Sequence, residues 1–287
     1  MASAKEIKEA VKARYTAVAE SRNTGCGCGD SGCGCGSEES SCCGGADPKQ
    51  AAAMIGYNFK DLEEIPQEAI LGLGCGSPVG YVGLKAGEIV LDLGSGGGID
   101  VFLAAKKVGS KGKVYGVDMN EAMIRRAKEA AVEYGFDNVE FRLGEIEQMP
   151  IDDGTIDAII SNCVINLSPN KQRVFNEAFR VLKPGGRLMI SDMVLLNELP
   201  DAVKESVQAY VGCISGAEMK SAYTGMIEKA GFKQVKILEE THLPLELMLS
   251  DATAKAMMKE LDLTEKRAEE LINSVISIKL SAIKPHT

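Results

Sequence analysis

The stretch VLDLGSGGGID, from Val90 to Asp100, decides the fold of this 287-residue chain. Its first half is a short apolar run, which is typical of a buried strand, and its second half is a glycine-rich turn. The helical pattern IDVFLAAKKVG follows at once and closes at Gly109. Glycines at the carboxyl end of a strand let the backbone approach a ligand, and the following helix offers its free amides. The stretch therefore predicts the ligand-binding strand–turn–helix unit of an α/β protein.

Outward from this unit, strand patterns and helix patterns alternate along the chain. The helix NEAMIRRAKEAAVEYG is predicted to have Asn120 as its cap and Gly135 as its stop. The next helix is predicted to have Ser168 as its cap and Pro169 at its first position. This alternation predicts an α/β fold with a doubly wound, mostly parallel, seven-stranded sheet and right-handed crossovers. The predicted strands are EIVLDLG, GKVYGVD, VEFRLG, IDAIISN, GRLMISDMV, KQVKILE and SVISIKLSAIK.

The last predicted strand differs from the others in its pattern. Ile276, Ile278 and Leu280 alternate with polar residues, which predicts a strand at the edge of the sheet. The residues before it, 240–273, look mainly helical and are predicted to form an insertion that covers a substrate. A second covering segment is expected at about 194–218.

The remaining chain divides into two parts ahead of the main domain, which spans 85–287. Residues 48–84 are predicted to form a lid or linker that carries Cys75. Residues 1–47 combine a helix over 4–20 with a Cys/Gly-rich arm. The apolar face of that helix holds Ile7, Val11, Tyr15 and Val18.

Composition narrows the class of partner and the compartment. The net charge is −9 and no basic run exists, which argues against a nucleic-acid or anionic-membrane partner. The stretch MASAKEIKEAVKARY lacks the apolar segment of a signal peptide, so we expect a cytoplasmic monomer with reduced thiols. Nine cysteines in that setting indicate ligands or catalysts. His242 and His286 are the only histidines, so a histidine general base is poorly supplied.

Two acids indicate what the glycine-rich turn binds. The NAD fingerprint requires a third glycine where Ile99 stands. Asp92, two residues before Gly94, would repel a pyrophosphate but attract an ammonium or a sulfonium. Asp118 ends the second predicted strand, a position from which an acid binds both ribose hydroxyls. The pattern favours a nucleoside cofactor that carries positive charge.

Four segments in this order resemble the class I S-adenosylmethionine-dependent methyltransferases: VLDLGSGGGID, GVDMNEAMIRRAK, RLGEIEQMP and RVLKPGGRL. The resemblance implies a Rossmann-like methyltransferase sheet and S-adenosylmethionine as cofactor. It places Met119 against the adenine and Glu145 and Ile146 at the adenine edge. The alternative is an unrelated α/β fold whose acids only cap strand ends. The other residues that the resemblance assigns to the cofactor are Gly94, Ser95, Gly96 and Asn162.

Three cysteines are predicted to lie on the ligand-facing rim of the sheet. Cys163 follows the fourth strand, Cys213 follows the fifth, and Cys75 precedes the first. Each alone can be a small buried hydrophobe. Together they indicate a soft, thiophilic ligand, because thiolates select such centres, and arsenic(III) is a trivalent example.

LGLGCGSP, ISNCVINLSPNKQRVFNEAFRVLKPGG and GCISGA resemble the arsenite S-adenosylmethionine methyltransferase family, over about residues 42–239. The resemblance implies that Cys163 and Cys213 hold arsenic(III), with Cys75 and either Cys42 or Cys43 completing the thiol set. It further implies that the arsenic lone pair attacks the sulfonium methyl. Cysteine pairs would return electrons and be re-reduced by thioredoxin or glutathione. A disulfide between Cys75 and either Cys42 or Cys43 is the expected pair.

Two other functions stay open from the sequence: a small-molecule C- or O-methyltransferase, and a non-catalytic arsenic- or metal-binding protein. The spacing C-x-C-x4-C-x-C in the arm also stays open, because it is not the C-x2-C spacing of structural zinc. It fits a flexible thiol antenna, a zinc, copper(I) or cluster site, or a dispensable tail. The residues concerned are Cys26, Cys28, Cys33 and Cys35.

Overall fold

A computed structural model of the chain describes residues 3–20, 48–200, 203, 210, 215–242 and 273–286. Its centre is one seven-stranded sheet, as predicted. The strands are β1 Ile89–Leu93, β2 Lys113–Asp118, β3 Val139–Leu143, β4 Ile156–Asn162, β5 Leu182–Leu195, β6 Lys233–His242 and β7 Val275–Ile283. Their order is β3-β2-β1-β4-β5-β7-β6. The first five are parallel, whereas β7 is antiparallel to both of its neighbours.

The helices follow the predicted alternation. Asn120 caps α5 by accepting the backbone N–H groups of Ala122 and Met123, as expected. The prediction that Ser168 caps α6 is wrong. Asn170 caps this helix, and its side chain accepts the backbone N–H of Arg173. The α-helices are α1 Ala4–Glu20, α2 Pro48–Met54, α3 Phe59–Glu63, α4 Ile99–Val108, α5 Glu121–Glu133, α6 Lys171–Val181 and α7 Lys220–Lys229.

Two apolar cores cover the two faces of the sheet, which defines the doubly wound arrangement. In β1, Val90 belongs to the core beneath α4 and α5, whereas Leu91 and Leu93 belong to the core beneath α6 and α7. The alternation follows from the two-residue period of a strand. With both faces covered, the carboxyl ends of the central strands become the open rim where a ligand can enter.

The predicted edge position of the last strand is wrong. β7 lies between β5 and β6, and β6 forms the edge. Ser277 and Lys279 of β7 are buried because the segment before β1 covers that face. Ser277 donates its hydroxyl to the carbonyl oxygen of Cys75 at 2.7 Å, and Lys279 donates to Glu239 at 2.6 Å and to the Tyr81 hydroxyl at 3.1 Å.

The predicted helical insertion at 240–273 lies mostly outside the described residues. Part of the covering segment at 194–218 lies outside them as well. No helix in the described ranges combines the length and the apolar character that crossing a membrane requires.

Candidate functional site

A cleft opens at the carboxyl ends of β1, β2 and β4. This is the edge at which parallel α/β sheets bind their ligands. Most residues predicted to contact a cofactor line it, and so does Cys163. The lining residues among those predictions are Asp92, Gly94, Ser95, Gly96, Asp118, Met119, Ile146 and Asn162.

The glycine-rich turn packs against the loop that carries Cys163. Gly94 has φ +64, and a Cβ placed there would lie 2.3 Å from a methyl group of Val164. Gly98, at φ +97, precedes α4. Only glycine combines this backbone conformation with so close an approach. The turn therefore fixes the distance between the cofactor cleft and the loop after β4.

Asp118 stands at the end of β2, where the sequence predicted a ribose-binding acid. Its two carboxylate oxygens accept the backbone N–H groups of Gly96 at 2.9 Å and Asn120 at 2.8 Å. Burial raises the pKa of Asp118, although these amides oppose the shift. The carboxylate is thus anchored to the glycine-rich turn on one side of the cleft and to the start of α5 on the other.

Two further acids lie on the floor of the cleft. Asp92 is the last residue but one of β1 and Asp100 lies in the first turn of α4, and each is only 2% exposed. Burial raises the pKa of Asp92 well above its usual range and that of Asp100 to about 6. Tyr57 donates its hydroxyl to Asp100 at 2.8 Å. Sequence reasoning missed Asp100 and Tyr57, because the contact joins residues 43 positions apart.

The cleft has a wall that the sequence did not predict. α1 contributes Lys8, Val11, Lys12 and Tyr15 to its lining. Asn120 donates its amide to the backbone carbonyl of Lys12 at 3.0 Å, which ties α1 to the start of α5. The apolar stripe of α1 was the available signal, because such a stripe must pack on something.

Lys8 closes this wall on the side of the cleft that Glu147 lines. Its ammonium donates to Glu145 at 2.8 Å and lies 3.0 Å from a carboxylate oxygen of Glu147. Glu147 lines the cleft, whereas Glu145 lies outside its lining and faces Lys8.

We expect Lys8→Met to weaken S-adenosylmethionine binding about fivefold, the equivalent of about 1 kcal/mol for a partly exposed ion pair. Lys5→Met is the matched control, because the Lys5 side chain is 86% exposed and pairs with Glu9 on its own helix. Equilibrium dialysis measures both affinities. Equal affinities for the two variants would contradict the role of Lys8.

Two cysteine thiols and a carboxylate lie close together beside the cleft. The sulfur atoms of Cys75 and Cys163 and a carboxylate oxygen of Asp192 lie within 4.8 Å of one another. Cys75 is buried and Cys163 is half-buried. They lie in one apolar cluster with Leu167 and Met193. Distant parts of the chain thus bring two of the predicted thiols together.

Backbone contacts hold the two thiols in place. The backbone of Cys163 has φ +57, which is uncommon for a residue other than glycine. Its N–H donates to the carbonyl oxygen of Ser191 at 2.8 Å. The N–H of Cys75 donates to the Asn162 side chain at 3.1 Å, and its sulfur lies 3.5 Å from the same Ser191 carbonyl oxygen. Strand β5 therefore sets the position of both sulfur atoms.

Asp192 supports the loop after Cys163. Its carboxylate accepts hydrogen bonds from the Asn166 amide, the backbone of Met193 and the Tyr223 hydroxyl, each at 2.9 Å. Burial raises its pKa to about 6, although these donors oppose the shift. Sequence reasoning missed this residue, although an acid near the end of a central strand was a readable signal.

The other cysteines named from the sequence lie outside the described residues. They are Cys26, Cys28, Cys33, Cys35, Cys42, Cys43 and Cys213.

Comparison with known proteins identifies the class. A family model described as a methyltransferase domain matches residues 84–231, more than half of the chain. The chain is 43% identical over 232 residues to an arsenite methyltransferase of Halobacterium salinarum, an alignment that covers 81% of this chain and 59% of that protein. It is 35% identical to an arsenite methyltransferase of Aquipseudomonas alcaligenes, covering 83% and 71%, respectively. The sheet and the family model define a methyltransferase.

A solved structure narrows the class further. The crystal structure of an arsenic(III) S-adenosylmethionine methyltransferase from Chlamydomonas reinhardtii superposes with a TM-score of 0.59 at 32% identity, covering 83% of this chain and 73% of that one. The chain belongs to the arsenite methyltransferase family. It spans 59% of the length of the Halobacterium relative.

Proposed function

We propose that the protein transfers methyl groups from S-adenosylmethionine to arsenic(III) held by cysteine thiolates. The observation that carries this proposal is the sulfur pair of Cys75 and Cys163, which lies beside the cofactor cleft. Family membership supports it, because relatives that align over most of this chain are arsenite methyltransferases.

The residues of the cleft fit the cofactor. Ser95 Oγ and Asp100 Oδ1 are buried polar atoms without a hydrogen-bond partner among the described residues, and both residues line the cleft. Both atoms are therefore available to hydrogen-bond a ligand that occupies the cleft. Asp118 would hold the ribose hydroxyls, with Met119 and Ile146 against the adenine. When bound, S-adenosylmethionine supplies a methyl group activated by a sulfonium.

Cys163 and Cys75 would bind the arsenic as thiolates, with Cys213 as a further ligand. Cys213 lies outside the described residues, but Tyr210 and Ala217 on either side of it belong to the apolar cluster of Cys75 and Cys163. Soft thiolates favour arsenic over the harder ions that carboxylates select.

The chain has to position the arsenic and exclude water, and it needs no general base. The arsenic lone pair forms the new arsenic–carbon bond while the carbon–sulfur bond breaks and its electrons stay on sulfur. No proton is removed, which agrees with the scarcity of histidine. Alignment of the arsenic with the methyl group accelerates the reaction. The apolar residues around the thiols exclude water from the reacting atoms.

Methyl transfer formally oxidises arsenic by two electrons, so a reductant must act before the next round. Two thiolates that form a disulfide supply two electrons. Cys75 with either Cys42 or Cys43 is the pair we propose, reduced in turn by thioredoxin or glutathione. Reduced thiols of this kind suit the cytoplasm, with the chain acting as a monomer.

We expect the protein to convert arsenite, thiol and S-adenosylmethionine into methylated arsenicals and a matching amount of S-adenosylhomocysteine. Chromatography with arsenic detection measures the first product and mass spectrometry the second. Reactions without arsenite are the control. S-adenosylhomocysteine without methylated arsenicals would indicate another methyl acceptor, and tight arsenite binding without either product would indicate a binding protein.

A further inference from the structure

The floor of the cofactor cleft holds two buried acids that the described chain pairs with no cation. Asp92 and Asp100 are both 2% exposed and both line the cleft. No lysine or arginine of the described ranges forms an ion pair with either. Two buried acids without a cation are costly, because each carboxylate raises the energy of the other.

Asp100 is held so that one of its oxygens stays free. Oδ2 accepts hydrogen bonds from the Tyr57 hydroxyl at 2.8 Å and from the Asn162 amide at 3.2 Å. The same Asn162 amide lies 2.7 Å from the Tyr57 oxygen and 2.6 Å from the carbonyl oxygen of Gly76, so it braces both partners of Asp100. Oδ1 is buried and has no partner in the described part of the chain. The carboxylate is therefore oriented but unsatisfied.

The two acids fit a positively charged ligand group better than a neutral hydrogen-bond donor. Asp92 also accepts no hydrogen bond from the described residues, and after burial itself the Asp100 carboxylate is the next cause that raises its pKa. A positive group bound in the cleft that both residues line would offset the charge of these acids. In the proposed cofactor the amino-acid part carries an ammonium and the sulfonium carries a second positive charge.

We propose that Asp100 acts with Asp92 as the receptor for the positive charge of the cofactor, and that this pair selects S-adenosylmethionine over S-adenosylhomocysteine. This proposal rests on the proposed function. Methyl transfer removes the sulfonium charge, so the product interacts with the two acids less favourably than the substrate does. Tyr57 and Asn162 are positioning residues that fix Asp100. Weaker binding of S-adenosylhomocysteine favours its release after methyl transfer, so that a new S-adenosylmethionine can bind.

The test compares three ligands that differ in charge at one atom. S-adenosylmethionine has a sulfonium, sinefungin has a protonated amine at that place, and S-adenosylhomocysteine has a neutral sulfur. Equilibrium dialysis gives the dissociation constant of each for the wild type, Asp100→Asn, Tyr57→Phe and the exposed control Asp137→Asn. Asp137 lies before β3, at the opposite end of the strands from the cleft.

We expect Asp100→Asn to weaken both charged ligands at least about tenfold and S-adenosylhomocysteine less than about threefold, since the lost contact is charge-assisted. Tyr57→Phe should shift the same selectivity ratio less, and Asp137→Asn should leave it unchanged. An equal loss for all three ligands, or no loss, would overturn the proposal. The measurements contain no arsenic, so a failed arsenic methylation assay would leave their outcome intact.

Discussion

Cys163→Ser is expected to lower the rate of arsenite methylation at least about 100-fold, the effect of misplacing a reacting atom. Serine keeps the shape of the side chain, so the backbone at φ +57 and its hydrogen bond to Ser191 stay in place. It replaces a soft thiolate by a hydroxyl that does not ionise near neutral pH and binds arsenic poorly. Cys75→Ser should act in the same direction, because the two sulfur atoms lie within 4.8 Å.

The assay for Cys163→Ser follows methylated arsenicals over time at saturating arsenite, and dialysis gives its affinity for S-adenosylmethionine. That affinity should stay within about twofold of the wild type, since the variant removes no cofactor-binding charge. Cys28→Ser is the matched control for replacing a thiol, and we expect it to keep the wild-type rate. Methylation that persists in Cys163→Ser would remove the basis for arsenic ligation at this cysteine.

Gly76→Ala is expected to displace Cys75 and to destabilise the fold. A Cβ at residue 76 would lie 1.9 Å from Ser191 Oγ and 2.9 Å from Ser191 Cβ, on the strand that positions both thiols. Relief of this clash must move the Cys75 loop away from β5. Overpacking of this kind costs about 1–3 kcal/mol of unfolding free energy, and methylation should fall about 100-fold with the loss of thiol alignment.

Gly80→Ala is the matched control for Gly76→Ala. Nothing lies within 4 Å of a Cβ at residue 80, and the backbone there does not require glycine. Chemical denaturation gives the stability of both variants, and product analysis gives their rates. If Gly76→Ala keeps wild-type stability and activity, the close packing of the Cys75 loop on Ser191 has no role in the site.

The elements of the sheet were readable from the sequence, but the place of β7 was not. Its alternating pattern is the same for an edge strand and for a central strand whose polar residues find partners. Ser277 and Lys279 find theirs in Cys75 and Tyr81, about 200 residues earlier in the chain. Tertiary contacts of that span leave no local signal.

The cap of α6 shows a local ambiguity. The stretch SPN offers two good capping residues. The 3-10 turn Ile165–Leu167 precedes this stretch. The Ser168 hydroxyl donates to a Glu147 carboxylate oxygen at 2.8 Å and accepts the backbone N–H of Asn170 at 3.1 Å. Asn170 is thereby left to cap the helix.

For the candidate site, strand-end reasoning was sufficient where a residue directly follows a strand. Asp118 and Cys163 could be placed at the cleft in this way, because the carboxyl ends of parallel strands share one edge. Lys8 and Tyr57 could not, since they reach the site from elements whose packing is decided by tertiary structure. Asp192 lies between these cases, inside a predicted strand but pointing to partners on α7 and the turn after β4.

X-ray absorption at the arsenic edge, on the arsenite complex of the wild type and of Cys163→Ser, tests the central claim most directly. If three cysteine thiolates bind the arsenic, the spectrum of the wild type should show three sulfur neighbours around it. In the variant one of these should be replaced by oxygen. Identical spectra for the two proteins, or an oxygen-only environment in the wild type, would contradict the claim.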